Sequence, residues 1–446
     1  MINWKIFLTK NKYLLILIIA VVVLSLLPVF DIALMVQGAW QGVISTEIYA
    51  DSQYYHSRLK EIQDGHLLMG NPYYIEHVND FPPAFFFADW LAAIPLFLGF
   101  SLTTTLIADF ILWSIIFCLL AYGFFWQAGF QKKWSAVSSF LVYLIVYIPM
   151  LRPVVFQVVF PVFLFILLSL AIWLKDPLSK KKIFLLAVAI ALGFYTYTYL
   201  MQIVIVLVGL WLLFFLLAKK FNNFYGFLKI FLIALVLSVP FIFFMIKQTG
   251  APYYWETMVR HALVYTHLPT ANVVYSGKWV IFMLLLWLAG RLFVQKIKND
   301  PQYNFYFNFF NILGAALLIT SVSNVITGKE FEISMHIEYF IIVWLGLSFA
   351  VFLCFILKNI DIIRQIDFKR QIVLTVLSLA CGAGALFYFW HYSPVVFLQE
   401  DRAVNKIMSG KFKPLPLRCA GWMNKSASRK LSGPAMIRRL MFLFRS

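Results

Sequence analysis

Charged residues are scarce in this chain. Of its 446 residues, only 13% are Asp, Glu, Lys or Arg, whereas 62% are hydrophobic. A soluble domain built around a single core could not bury that much apolar surface. A membrane span needs about 20 mostly apolar residues, because a helix pairs its own backbone groups where water is absent. Several such runs are present, so the composition predicts an all-α polytopic membrane protein.

Cysteine is also rare, and other signatures are missing. The 4 cysteines show no metal-ligand spacing, and three of them lie within apolar runs, which predicts that they pack as small hydrophobic side chains. Because the chain lacks a nucleotide-binding fingerprint, we expect no nucleotide cofactor. The formal charge of +18 lies largely in short connectors between apolar runs, so it does not indicate nucleic acid as a partner.

Acidic residues are outnumbered by basic ones, 19 to 37, and the basic residues predict the topology. Short connectors rich in Lys and Arg mark the cytoplasmic side. The run at residues 183–218 is too long for one span, and we divide it within GFYTYTYLMQ. The expected result is about 11 transmembrane helices with a cytoplasmic amino terminus, provided that Pro82 to Gly99 forms a re-entrant or interfacial segment. The expected spans are 13–30, 103–126, 135–150, 153–174, two within 183–218, 225–247, 279–294, 305–326, 338–357 and 371–390.

The sequence predicts a membrane domain at residues 1–390, with a long extracytoplasmic loop at 31–81, and a basic tail at residues 391–446. The tail carries eleven Lys and Arg but two acids on the predicted outer side, which opposes the usual charge bias. It lacks the alternating pattern of a folded domain. We expect a disordered segment, an interfacial anchor, or the truncated and frame-shifted end of the gene.

The loop at residues 31–81 is the one acidic region of this basic chain, with seven acids and two bases. Within it, the stretch DSQYYHSRLKEIQDG begins at Asp51, and the helical spacing of Tyr54, Tyr55 and the following apolar residues predicts a short amphipathic helix that Gly65 ends. Asp51 could cap this helix. Alternatively, as a carboxylate at the membrane edge, Asp51 is a candidate general base that deprotonates an acceptor hydroxyl or amine.

A second acidic cluster, EHVNDFPP, ends in paired prolines that fix the chain. His77 and Asp80 lie close together in this cluster and could bind a divalent cation (Mg, Mn or Zn) that steadies a phosphate leaving group. A solvated turn explains the same residues.

Two further connectors on the predicted outer face carry polar residues. Arg260, Lys278 and Lys329 could hold a lipid phosphate, or they could be snorkelling cations of an aromatic belt. Glu332 and His336 are four residues apart, a spacing at which a helix places both on one face. The candidate metal ligands are Asp80, His77, His261 and His336.

Asp51-Ser-Gln-Tyr-Tyr after the first span, an amphipathic helix, and then Asp80-Phe-Pro-Pro follow one another in this chain. This order resembles the GT-C superfamily of integral membrane glycosyltransferases and is similar to its protein O-mannosyltransferase and aminoarabinose transferase branch. The resemblance covers roughly the first hundred residues. That branch commonly has Asp-Glu at the first motif, where this chain has Asp51-Ser52. The resemblance implies that Asp51 is the counterpart of the catalytic acid, that Asp80 is the acid before the prolines, and that the donor is a polyprenyl-phosphate sugar.

We therefore expect a membrane glycosyltransferase that moves a hexosyl or pentosyl group from this donor to a lipid, glycan or protein acceptor. Transfer would occur with inversion at the extracytoplasmic face, with a loop carboxylate as base, in the cytoplasmic membrane of a prokaryote. The expected substrate-binding residues are Tyr54, Tyr55, Arg58, Arg260, Lys278 and Lys329.

Two alternatives remain, a transporter or flippase of lipid-linked saccharides and a non-catalytic, truncated relative. A transporter should show internal repeats and ionisable groups near the middle of its spans. No repeat stands out in the sequence, and Asp109 is the clearest acid within a predicted span.

Overall fold

Helices account for nearly all the regular structure in the described part of the chain. The computed structural model describes residues 4–36, 52–70, 81–82, 85–251, 254–260, 263–293, 299–330, 332–359 and 367–395. The helices up to residue 217 are α1 (Trp4–Val36), α2 (Ser52–Gln63), α3 (Phe87–Ala92), α4 (Ile94–Phe97), α5 (Leu102–Gln127), α6 (Lys132–Ile145), α7 (Tyr147–Leu151), α8 (Val155–Lys175), α9 (Lys180–Thr196) and α10 (Thr198–Leu217). The later elements are α11 (Phe221–Leu237), α12 (Val239–Thr249), α13 (Tyr254–Arg260), β1 (Val264–Tyr265), α14 (Ala271–Phe293), α15 (Pro301–Ser321), α16 (Asn324–Thr327), β2 (Lys329–Glu330), α17 (Ile333–Lys358) and α18 (Phe368–Tyr392).

The membrane-spanning character is clear from helix length and composition. In the described part of the chain, eight helices are long and apolar enough to cross a membrane, and α11 with α12 makes a ninth if the pair is one bent span. The protein is therefore an all-α polytopic membrane protein, as its composition predicts. Each expected span coincides with a helix or a broken helix, but α6 has 14 residues and α9 has 17, short of a full crossing. The count of about 11 spans and their sidedness remain predictions.

Three of the helix breaks have local causes. A proline ring clashes with the carbonyl four residues earlier, and α6 ends at Ile145, four residues before Pro149. Pro240 likewise lies just after the end of α11, and the axis of α12 is bent by 57° from that of α11. The third break falls inside GFYTYTYLMQ, where the extended backbone of Tyr197 (φ −161°) separates α9 from α10, as predicted.

Two helix boundaries differ from those expected from the sequence, and the segment at residues 82–99 contains only short helices. Helix α1 continues to Val36 because the apolar run resumes after Asp31, which was expected in the outer loop. Helix α17 begins at Ile333, so His336 lies in its first turn. Between Pro82 and Gly99, the described residues form only α3 and α4, which have six and four residues and are too short to cross a membrane.

Polar contacts between connectors define one end of the bundle, which we call the lysine-rich end (residues 127–133, 175–182 and 299–302). There the Lys175 ammonium donates a hydrogen bond to the carbonyl of Gln127, and the Gln302 amide donates to the carbonyl of Ala128. The ammonium of Lys182 lies 3.0 Å from the Asp176 carboxylate. These contacts join the α5–α6, α8–α9 and α14–α15 connections.

The opposite end, the loop end, brings together α2, α3, the α7–α8 connection, Tyr197 and the start of α17. A short antiparallel pairing of β1 with β2 places Val264 opposite Glu330 and Tyr265 opposite Lys329. It thereby joins two of the predicted outer connectors, at 248–278 and 327–337. The central helix α8 is mostly buried, packs against α5 and α9, and starts at this end.

Candidate functional site

Helix α2 forms where the amphipathic pattern predicts it. Leu59 and Ile62 are buried, whereas Lys60 on the other face is exposed. Gly65 has a positive φ of 95°, a conformation that glycine adopts without steric cost, and the helix ends just before it. Asp51, the proposed general base, lies outside the described residues and directly precedes the buried Ser52 in the sequence.

A buried ion pair fixes α2 to α3. The Arg58 Nε donates to Asp89 Oδ1 at 2.9 Å and its Nη2 donates to Asp89 Oδ2 at 2.6 Å. Further hydrogen bonds run from Nη2 to the Phe85 carbonyl (3.0 Å) and from Nη1 to the Tyr54 hydroxyl (2.8 Å). Burial lowers the pKa of Arg58, but Asp89 and Tyr54 together raise it by more, so the pKa lies above its ordinary value. The bidentate geometry gives this pair directional strength as well as charge.

A second arginine sits beside α2 from the other side of the loop end. The Arg152 Nη2 donates to the Tyr55 hydroxyl at 3.2 Å. Its guanidinium also lies 5.3 Å from the ring centres of both Tyr55 and Phe156. Two residues further on, Val154 has a φ of +63°, which a β-branched residue rarely adopts and which costs about 1–3 kcal/mol. A strained turn thus presents Arg152 to α2.

Tyrosines from the α9–α10 break surround His336. The Tyr197 hydroxyl lies 2.6 Å from His336 Nδ1, and the Tyr199 ring stacks on the imidazole with ring centres 4.2 Å apart. Glu332 Oε2 lies 3.7 Å from His336 Nε2, so the predicted proximity of Glu332 and His336 is confirmed. Burial raises the pKa of Tyr197 well above its ordinary value; the neighbouring Tyr55 raises it further and Arg152 lowers it.

Glu330, in β2, adds a buried carboxyl to this end of the protein. Its Oε1 accepts a long hydrogen bond from the Ser334 amide at 3.4 Å, and its Oε2 has no partner among the described residues. Burial raises the pKa of Glu330, and the hydrogen bonds from residues 333 and 334 lower it by less. We call the following set the loop-end cluster: Tyr54, Tyr55, Arg58, Asp89, Arg152, Tyr197, Tyr199, Glu330, Glu332 and His336.

The structure brings together some of the residues singled out from the sequence and separates others. Tyr54, Tyr55 and Arg58 belong to the loop-end cluster. Lys278 instead lies over the rings of Tyr275 and Trp279, at 4.8 and 5.0 Å. Lys329 lies over the ring of Trp255 at 5.0 Å. Such contacts are also expected of snorkelling cations, and phosphate binding by either lysine stays a prediction. Asp51, His77, Asp80, His261 and the Arg260 side chain lie outside the described residues.

Five members of the cluster were not singled out as site residues: Asp89, Arg152, Tyr197, Tyr199 and Glu330. Asp89 lies within the apolar segment that was expected to be re-entrant, and an acid there was the available signal. Arg152 lies between the expected spans 135–150 and 153–174, where a single cation is not distinctive. Nothing in the spacing of Glu330 distinguished it from its neighbours, because its burial depends on pairing with β1.

The described residues do not assemble a metal site. Among the residues that the structure describes, no group of three or more His, Cys, Asp or Glu could hold an ion. The two ring nitrogens of His336 lie beside Tyr197 and Glu332. His336 and Glu332 alone are too few ligands for a metal site. Metal binding by His77, Asp80 and His261 stays a prediction, because these residues lie outside the described part.

Comparison of the chain with protein-family models and with curated proteins gives no match. The resemblance to GT-C enzymes therefore rests on the two acidic motifs and their order along the chain. The functional proposal rests on those motifs together with the loop-end cluster.

Proposed function

We propose that this protein is a membrane glycosyltransferase that moves a sugar from a polyprenyl-phosphate donor to an acceptor with inversion. The reaction is placed at the extracytoplasmic face of a prokaryotic cytoplasmic membrane. The observation that carries the proposal is the position of Arg152, which contacts Tyr55 on the same helix that follows Asp51. The proposal therefore assigns Arg152, which binds the donor phosphate, and Asp51, which deprotonates the acceptor, to the loop end.

Arg152 is suited to recognise the lipid phosphate. A guanidinium presents planar N–H groups that match phosphate oxygens, and aromatic rings beside it restrict its orientation. The rings of Tyr55 and Phe156 provide that restriction. Arg58 makes four hydrogen bonds to Asp89, Phe85 and Tyr54 and is assigned to positioning α2.

The proposed reaction is a single displacement. An acceptor oxygen or nitrogen forms a bond to the anomeric carbon while the bond from that carbon to the phosphate oxygen breaks. The phosphate leaves with the electron pair, and Arg152 stabilises the charge that develops on it. Asp51 takes the acceptor proton; Glu330, a buried carboxyl whose Oε2 has no partner among the described residues, is the second candidate for this step.

Sugar transfer in detergent–lipid particles tests the proposal. A panel of radiolabelled polyprenyl-phosphate sugars is supplied to the wild type, Asp51→Asn, Asp80→Asn and Glu330→Gln, with folding checked by thermal unfolding. We expect label to reach an acceptor with the wild type and to be lost in Asp51→Asn. If transfer is lost only in Glu330→Gln, Glu330 and not Asp51 is the general base. Full transfer by every variant would contradict a carboxylate base at this end.

One observation favours the transport alternative. Asp109 lies in α5, seven residues from the first residue of the helix, and is 2% exposed; its Oδ1 has no partner among the described residues. Ionisable groups within spans often mark transport pathways. Movement of labelled polyprenyl-phosphate sugar across proteoliposomes, with loss in Asp109→Asn and without transfer to an acceptor, would favour a flippase. Donor binding without either activity would indicate the non-catalytic alternative.

A further inference from the structure

A large apolar groove lies between α6, α17 and α18, away from the loop-end cluster. Its volume is about 770 Å³, and its walls are mostly aliphatic and aromatic. Gly346, Ala350, Gly382 and Ala385 line it. Because these residues have small side chains or none, they leave room between helices that are otherwise closely packed.

One end of the groove lies at the lysine-rich end. The lining residues from α6 and its preceding turn run from Gly129 to Ile145, and those from α17 run back from Lys358 to Gly346. Helix α18 contributes residues only from its opposite half, Gly382 to Phe389. The groove therefore extends from the lysine-rich end to the half of α18 that lies nearer the loop end. The α6 lining residues from Trp134 to Ile145 rise about 17 Å, more than half of a hydrocarbon core of about 30 Å.

The mouth of the groove is cationic. Lys358 lines it, and the Lys133 ammonium lies 5.4 Å from the ring centre of Trp134, another lining residue. Trp134 is 54% exposed, as expected of an aromatic residue at a membrane interface. In the part of the chain that the structure describes, neither lysine is paired with an acid and no acidic residue lines the groove.

We propose that this groove binds one anionic phospholipid of the leaflet at the lysine-rich end. An acyl chain occupies the apolar space between α6 and α17, and the headgroup phosphate lies between Lys133 and Lys358. Basic pockets between transmembrane helices favour anionic headgroups, and each lysine near the surface adds about 1 kcal/mol, or roughly fivefold in affinity. The site is at the opposite end from the proposed transfer reaction and does not depend on it.

Lipid titration of the purified, delipidated protein in detergent tests this proposal. The shift in thermal unfolding midpoint is measured against dioleoyl phosphatidylglycerol and against dioleoyl phosphatidylcholine, which have the same acyl chains. We expect phosphatidylglycerol to bind more tightly to the wild type. Lys358→Gln should weaken phosphatidylglycerol binding about fivefold and leave phosphatidylcholine unchanged. Lys369→Gln, at an exposed lysine of α18 that does not line the groove, is the matched control.

A steric variant tests the acyl-chain part of the site. A Cβ at Gly382 would lie 3.5 Å from the Phe349 ring, an ordinary contact, so the rest of a leucine side chain at 382 would enter the groove. Gly382→Leu should weaken both lipids; Ala385→Leu serves the same purpose if the first variant does not fold. Equal binding of the two lipids to the wild type would overturn the proposal. So would equal losses in Lys358→Gln and Lys369→Gln, or unchanged binding in the leucine variants.

Discussion

Arg58 and Asp89 form a bidentate ion pair in which both residues are almost completely buried, at 4% and 2% exposure. The pair joins the amphipathic helix α2 to the short helix α3. Neither helix is long enough to span a membrane, so α2 is held by contacts such as this one with α3, which packs against α8.

Removing one member of the pair should be strongly destabilising, because the other charge would stay buried without compensation. Arg58→Met and Asp89→Leu should each lower the free energy of unfolding by about 3–5 kcal/mol. The double variant should lose less than the sum of the two. Denaturant unfolding in detergent measures the free energy of unfolding of the wild type, the two single variants and the double variant. Additive losses would mean that the two residues act independently.

Acid should weaken the packing of α2 through His56. Burial lowers the pKa of His56 from its ordinary value of 6.5, so the folded state takes up a proton less readily than the unfolded chain. Stability is therefore greatest above the unfolded pKa and falls as the pH drops through 6.5 towards the folded pKa. The unfolding midpoint should fall more for the wild type than for His56→Gln between about pH 7.5 and about pH 5.5.

The matched control for this prediction is His66→Gln, at an exposed histidine that pairs with Glu61. It should retain the acid sensitivity of the wild type. A His56→Gln variant that loses stability with acid as steeply as the wild type would contradict the assignment to His56.

Glu330 should have the opposite pH dependence. Its pKa is raised by burial, so the folded state binds a proton more readily than the unfolded chain. Its contribution to stability is present below the unfolded pKa and is lost as the pH rises through the folded pKa. Glu330→Gln should therefore be more stable than the wild type at about pH 8, and this difference should be smaller at about pH 4.5. The unfolding midpoints of the variant and the wild type are measured at both pH values. If the variant is less stable by the same amount at both, the prediction is wrong.

The hydrogen bond between Tyr197 and His336 should contribute measurably to the loop end. Tyr197→Phe leaves a buried imidazole nitrogen without this partner and should cost about 1–3 kcal/mol. Tyr195→Phe is the control, since the Tyr195 hydroxyl donates to the Leu237 carbonyl in an exposed setting. Equal losses in the two variants, measured by denaturant unfolding, would show that burial at Tyr197 adds nothing.

Much of the fold follows from local patterns in the sequence. Apolar runs of sufficient length predict the spans, and the spacing of Leu59 and Ile62 predicts α2, because helix formation in these segments depends on neighbours three or four residues away. The break at Tyr197 follows from the polar and aromatic residues around it.

Local sequence patterns do not predict which residues form the loop-end cluster. The pairing of Arg58 with Asp89 spans 31 residues, and that of Tyr197 with His336 spans 139. Both are set by how the helices pack, which no single sequence predicts from spacing. The role of Arg152 likewise depends on a strained turn that brings it to Tyr55.

The most direct test of the proposed function is sugar transfer by an Arg152 variant. Arg152→Gln and the control Arg291→Gln are compared with the wild type for release of radiolabelled sugar from a polyprenyl-phosphate donor to an acceptor. Arg291 also stacks on an aromatic ring, that of Phe307, but lies near the other end of α14 from the loop end. If Arg152 stabilises the leaving phosphate, Arg152→Gln should lose about 100-fold in rate while staying folded, and Arg291→Gln should transfer normally. Undiminished transfer by a folded Arg152→Gln would contradict the assignment of the phosphate site to Arg152.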